Sequence, residues 1–216
     1  MRRVVLATAA ALVAGGAHAL PMGSVDTWMV MGDFAARSNE LAVNYALARH
    51  DALGGIAGRW RAESEAGGRA REFGGLTYTR LVQRWNLPHA QANLWFVGAV
   101  GGLRAEGSHE GTRPMGLVSV LADYETTRVY LGAGLKTLRS SPARQDTAYA
   151  RAGFSFYEVD YDELQPWLIG EVKRQRDGVA KTETAAWLRL IHKRYFVELG
   201  ADDAGRARFN FMFNFW

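Results

Sequence analysis

From Ser24 onward, apolar and polar residues alternate with a period of two along nearly the whole chain. That is the pattern of strands with two unlike faces. The end of the chain is the clearest case. Phe209, Phe211, Phe213 and Phe215 share one parity, and Arg208, Asn210, Met212 and Asn214 the other. Asn39 to Ala48 sets Leu41, Val43, Tyr45 and Leu47 against Glu40, Ala42, Asn44 and Ala46. Arg128 to Leu138 sets Val129, Leu131, Ala133 and Leu135 against Arg128, Tyr130 and Lys136. Met115 to Tyr124 and Thr147 to Tyr157 behave alike.

Eight further segments complete the set: residues 24–33, 54–63, 73–84, 91–104, 166–175, 182–191, 193–200 and 206–216, the last containing the phenylalanine run. Two of these have unclear faces, 73–84 and 91–104; in the second, Trp95, Val97 and Ala99 compete with Leu94, Phe96 and Val100. No stretch has helical periodicity, and there is no repeat. The pattern predicts one all-β domain of twelve strands, with ten as the fallback.

The connections alternate too. Even-numbered ones are tight, around His50-Asp51, Asn86-Leu87-Pro88, Glu125-Thr126 and His192-Lys193. Odd-numbered ones include longer polar segments at 64–72, 106–114, 140–146 and 201–205, while 158–165 is long for its side. Short turns at one end and longer loops at the other suit a membrane barrel. Trp28, Trp85, Tyr124, Tyr157, Trp167, Tyr195, Phe215 and Trp216 gather at the short-turn end, as an interfacial aromatic belt requires. The rival is a soluble barrel of the lipocalin kind with its apolar faces turned inward.

Composition narrows the setting. Met1 to Ala19 has Arg2 and Arg3, an apolar run from Val4 to Val13, and Ala17-His18-Ala19 as a small-residue cleavage site. It reads as a secretory signal peptide, leaving residues 20–216 as a single barrel domain. The absence of cysteine excludes disulfides, thiol catalysis and cysteine metal sites. A net charge of +4 is no nucleic-acid signature. High glycine (24) and low proline (5) suit strands joined by tight turns.

The signal peptide, the alternating strands and the terminal run Phe209, Phe211, Phe213 and Phe215 resemble a bacterial outer-membrane β-barrel over the whole mature chain. The resemblance implies residence in the outer membrane among its lipids. It also implies that the terminal aromatic strand is the signal read by the barrel-assembly machinery. Trp216 stands one residue beyond the alternation, a departure from the usual terminus.

In such a barrel the polar parity faces the lumen. Arg59, Arg61, Arg128, Lys136, Arg151, Arg189, Arg194 and Arg208 are then expected inside, with Glu40, Asp123, Glu171, Glu183 and Glu198. The excess of basic residues points to a narrow channel or solute-binding barrel with a positive bias and a preference for small anions. The alternative is a structural or interaction barrel whose lumen is plugged by Arg–Glu pairs. A lipid-modifying enzyme is a third class, but no histidine sits at strand spacing from a serine. His50, His89 and His192 fall in tight turns, and His109 beside Ser108 in an outer loop. No catalytic residue and no cofactor is assigned. Met29, Met31 and Met212 would meet on the lumen side where the first and last strands close, a thioether group that could hold Cu(I) but more often only packs.

Overall fold

The structure is a computed structural model that describes residues 25–61, 70–105, 111–141, 143–160 and 162–215. The segment expected to be a signal peptide, Ser108, His109 and Trp216 lie outside these residues. Twelve strands follow one another: β1 (Trp28–Ala35), β2 (Ser38–Ala46), β3 (Asp51–Trp60), β4 (Arg71–Leu87), β5 (Ala90–Ala105), β6 (Arg113–Thr126), β7 (Val129–Ser140), β8 (Arg144–Ser155), β9 (Gln165–Arg176), β10 (Ala180–His192), β11 (Tyr195–Asp202) and β12 (Ala207–Phe215). Each pairs antiparallel with its sequence neighbours, and β1 pairs with β12 to close the barrel. The closing register runs from Trp28 opposite Phe215 to Ala35 opposite Arg208.

The apolar parity faces outward. Leu76, Val100, Leu135, Val172 and Leu199 are all at least half exposed on the outer wall. Polar and large residues of the other parity fill the inside. A soluble barrel of lipocalin type would show the reverse.

Two irregularities explain the segments whose faces were unclear. β4 carries a bulge between Leu81 and Gln83, and an extra residue reverses the parity beyond it. Thr77, Thr79 and Leu81 therefore face in before the bulge, and Arg84 after it. On β5 apolar residues lie on both faces, and hydrogen bonding decides between them. Trp95 turns inward, 1% exposed, and its indole N–H donates to Asp123 at 3.1 Å. Leu94 and Phe96 face out.

The terminal aromatic run is outward, as read. Phe34, Phe209 and Phe211 stack along the β1–β12 seam, with centroids 6.1 Å (Phe34–Phe209), 6.2 Å (Phe34–Phe211) and 5.8 Å (Phe209–Phe211) apart. Gly32 lies beneath these rings, where a Cβ would collide with both Phe34 and Phe211. Tyr195 stacks on Phe213 at 4.7 Å, and Trp28 lies 5.0 Å from Tyr45. Trp28, Trp85, Tyr157 and Tyr195 are exposed on the outer wall near the short-turn end. Trp167 is an exception to the expected belt: it is 0% exposed and packs inside with Ile169 and Trp187, because it shares the parity of Glu171.

The long connection 156–164 is tied to its neighbour. Thr127 donates to Glu158 at 2.7 Å, and Gln165 donates to the Thr127 carbonyl at 3.0 Å. The start of β1 and the end of β12 lie at this end of the barrel, with the tight turns; the longer connections join strands at the other, which faces the exterior in outer-membrane barrels.

Candidate functional site

The lumen is where the chain concentrates buried polar chemistry, and it is divided lengthwise. Against β3 to β7, in the loop-side half, the interior is apolar: Ile56, Trp60, Phe73, Leu103, Leu117 and Leu138 form one buried cluster. Against β8 to β12 an ion-pair system dominates, beside the smaller apolar cluster of Trp167, Ile169 and Trp187.

Cross-strand register builds the ionic wall. Arg151 lies opposite Glu171, Arg189 opposite Glu198, and Glu198 opposite Asn210. Glu198 is the node. Its carboxylate accepts from Arg189 at 2.9 Å, Arg151 at 2.9 Å and Asn210 at 2.8 Å. Glu198 and Arg189 are both 0% exposed. Arg189 is held between the rings of Tyr130 (4.1 Å) and Phe196 (4.8 Å), and Arg151 lies over Trp187 at 5.1 Å. Cation–π contacts of this kind are strongest where water is excluded.

The chain of pairs continues towards the loops. Arg151 reaches Glu171 at 3.0 Å, and Glu171 meets Arg208 at 3.4 Å. Arg208 also pairs with Glu183, and with Asp202 at 3.4 Å. Arg206 adds contacts of 2.8 Å to both Glu183 and Asp202. Asp202 shapes the last turn as well, accepting the backbone N–H groups of Ala204 and Arg206 at 3.0 Å each. On the opposite side of the ring, Lys136 of β7 reaches across the lumen to Glu40 of β2.

This polar interior inside an apolar exterior decides the setting. The chain is an outer-membrane β-barrel. Among known proteins, no family model and no curated protein matches it. Solved structures do align along its length. A KdgM porin in complex with disordered oligogalacturonate aligns over 88% of this chain and 98% of its own, at 8% identity and TM-score 0.49. LpxR from Salmonella typhimurium aligns over 88% and 99%, at 8% identity and TM-score 0.48. The translocator domain of the autotransporter NalP from Neisseria meningitidis aligns over 87% and 85%, at 9% identity and TM-score 0.38. At such identities the likeness is one of fold.

The lumen assignments divide into three groups. Lys136, Arg151, Glu171, Glu183, Arg189, Glu198 and Arg208 of this barrel face inward and are brought into the ion-pair system described above. Arg59 does not: it shares the outward parity of Leu53 and Ala57, while Ile56 and Trp60 point in. Arg61, Arg128 and Arg194 lie beyond strand ends. Arg61 borders a small hollow of about 30 Å³ at the loop-side mouth, beside Arg206 and Arg208, room for about two waters. Arg128 braces the short-turn end, donating to the carbonyls of Ser155 at 3.4 Å and Phe156 at 3.1 Å.

The expected excess of inward basic residues becomes smaller once every strand is included. Strand residues on the inward parity are Arg71, Arg84, Arg113, Lys136, Arg151, Lys173, Lys181, Arg189 and Arg208 against Asp33, Glu40, Asp123, Glu125, Glu171, Glu183, Glu198 and Asp202. The two sets nearly cancel. Asp33, Asn210, Lys173 and Lys181 could have been read from parity alone. Arg206 gave no such signal, because a turn rather than a strand positions it.

Between the crossing pair and the Glu198 node lies a cavity of about 200 Å³, bordered by Asp33, Glu40, Asp123, Tyr149, Arg151 and Asn210. It is smaller than the roughly 300–1,000 Å³ of typical small-molecule pockets. Met31 and Met212, cross-strand partners, line it too, with Met29 one step along β1 beside Asn214. His50, His89 and His192 occupy or adjoin the tight turns at the end opposite the loops.

Proposed function

We propose that this barrel keeps its lumen shut with paired charges and serves as a structural or interaction barrel of the outer membrane rather than as a standing pore. The Glu198 node carries the reading. A buried carboxylate with two guanidinium partners and an amide donor is immobile, and charges at membrane depth must be paired or wet. Here they are paired, and the apolar cluster around Trp60 and Leu138 fills the other side. Planar-bilayer recording tests this. The purified barrel is expected to show no steady conductance; a sustained current from the unmodified protein overturns the reading.

A second reading, a narrow solute path that opens on demand, is favoured by one feature: the Lys136–Glu40 pair spans the lumen beside the 200 Å³ cavity. Replacing both residues with Ala separates the two readings. A filled lumen stays closed after the change, whereas a gated path conducts. With inward charges nearly balanced, any such current is expected to show weak ion preference that shrinks as salt rises.

A further inference from the structure

The outward faces of β7, β8 and β9 carry a feature that the lumen does not use. At their loop-side ends Arg139, Arg144, Arg174 and Arg176 all share the lipid-facing parity. Register draws them together: Arg139 lies opposite Arg144, Asp146 opposite Arg176, and Ala148 opposite Arg174. Two strand spacings cover the group, a width of about 10 Å.

One carboxylate, Asp146, lies among the four and pairs with two of them. Asp146 accepts from Arg139 at 2.6 Å and Arg144 at 2.9 Å, while Arg174 and Arg176 have no acidic partner among the described residues. Placing two arginines directly opposite each other on a strand pair is unfavourable by itself. Outward charges elsewhere are closer to balance. Arg104 pairs with Glu72 at 2.8 Å on the same rim, and Arg80 with Asp51 at 3.1 Å near the other end.

The depth of the patch identifies its partner. Val172 and Leu135, both more than half exposed, lie on the same faces just towards the membrane centre. Arg174 is two residues beyond Val172, about 7 Å along the strand. The guanidinium groups therefore sit where acyl chains give way to headgroups. A ligand at that place has hydrocarbon on one side and must bring negative charge on the other. Phosphate suits guanidinium better than any other common lipid anion, since the donor fork engages two oxygens at once.

We propose that Arg139, Arg144, Arg174 and Arg176 form a site for the phosphate groups of a phosphorylated lipid in the exterior leaflet. The test uses the intact barrel in detergent, mixed with bisphosphorylated lipid A or with its phosphate-free form, and native mass spectrometry to count retained lipid. The unmodified barrel is expected to retain the phosphorylated lipid at least about tenfold better. The R139Q/R144Q/R174Q/R176Q variant is expected to lose that preference, and R59Q/R104Q to keep it. Heat-dependent gel mobility checks folding. Should the fourfold variant not fold, R174Q/R176Q, which breaks no ion pair, is expected to weaken retention measurably by itself. Equal retention of the two lipids by the unmodified barrel overturns the proposal. So does full retention by a folded arginine variant, or an equal loss in R59Q/R104Q.

Discussion

Glu198 shows how a single residue carries a large share of the lumen. Replacing it with Gln keeps the shape but removes the charge facing Arg189 and Arg151. Arg151 retains Glu171; Arg189 has no second ion pair among the described residues. Stranding a buried guanidinium in this way costs about 3–5 kcal/mol. Reversible urea unfolding from lipid vesicles should register a loss of that size for Glu198→Gln, and almost none for Arg174→Gln on the outer wall. Equal, small losses would mean that the lumen is wetter than the ion pairs imply. Much of this node was legible beforehand, because Arg151, Glu171, Arg189, Glu198 and Arg208 each fall on the polar parity of their own strand. Arg59 was misread for a physical reason. The usual rule sends the polar parity inward, yet beside Ile56 and Trp60 the lumen is filled by apolar side chains. At that level the rule inverts, and the arginine goes out to the rim.

At the scale of elements, alternation located every strand, and its failures were local. The bulge near Val82 shifted one parity, and β5 offered two apolar faces that only the bond from Trp95 to Asp123 resolved. β12 is the element that most rewards a direct test. Its phenylalanines cover the seam with β1 and stack on Tyr195. Changing Phe213 and Phe215 to Ser is expected to leave the chain unassembled and protease-sensitive in the periplasm, scored by loss of the heat-modifiable band. Normal insertion would show that these rings only pack. A gentler probe is Gly32→Val. Its side chain must displace Phe34 and Phe211, so a lower thermal midpoint than wild type is expected, with insertion intact.

For the whole molecule, the membrane made the architecture readable. Lipid on one side and polar contents on the other impose a strict alternation that a single sequence displays, so strand number and closure could be inferred. Whether the lumen is open could not be. That depends on how side chains from distant strands fill the space, as Lys136 and Glu40 do across the ring.

The closing register has one more consequence. Trp28 finds its partner in Phe215, at the far end of the described chain. Until that union forms, β1 and β12 each expose an unsatisfied row of backbone donors and acceptors, which hydrocarbon does not tolerate. Closure therefore waits for β12: no chain that lacks this strand can seal itself. A chain without β12 is an open ribbon, and its two edges are the surfaces that anything holding it before closure has to cover.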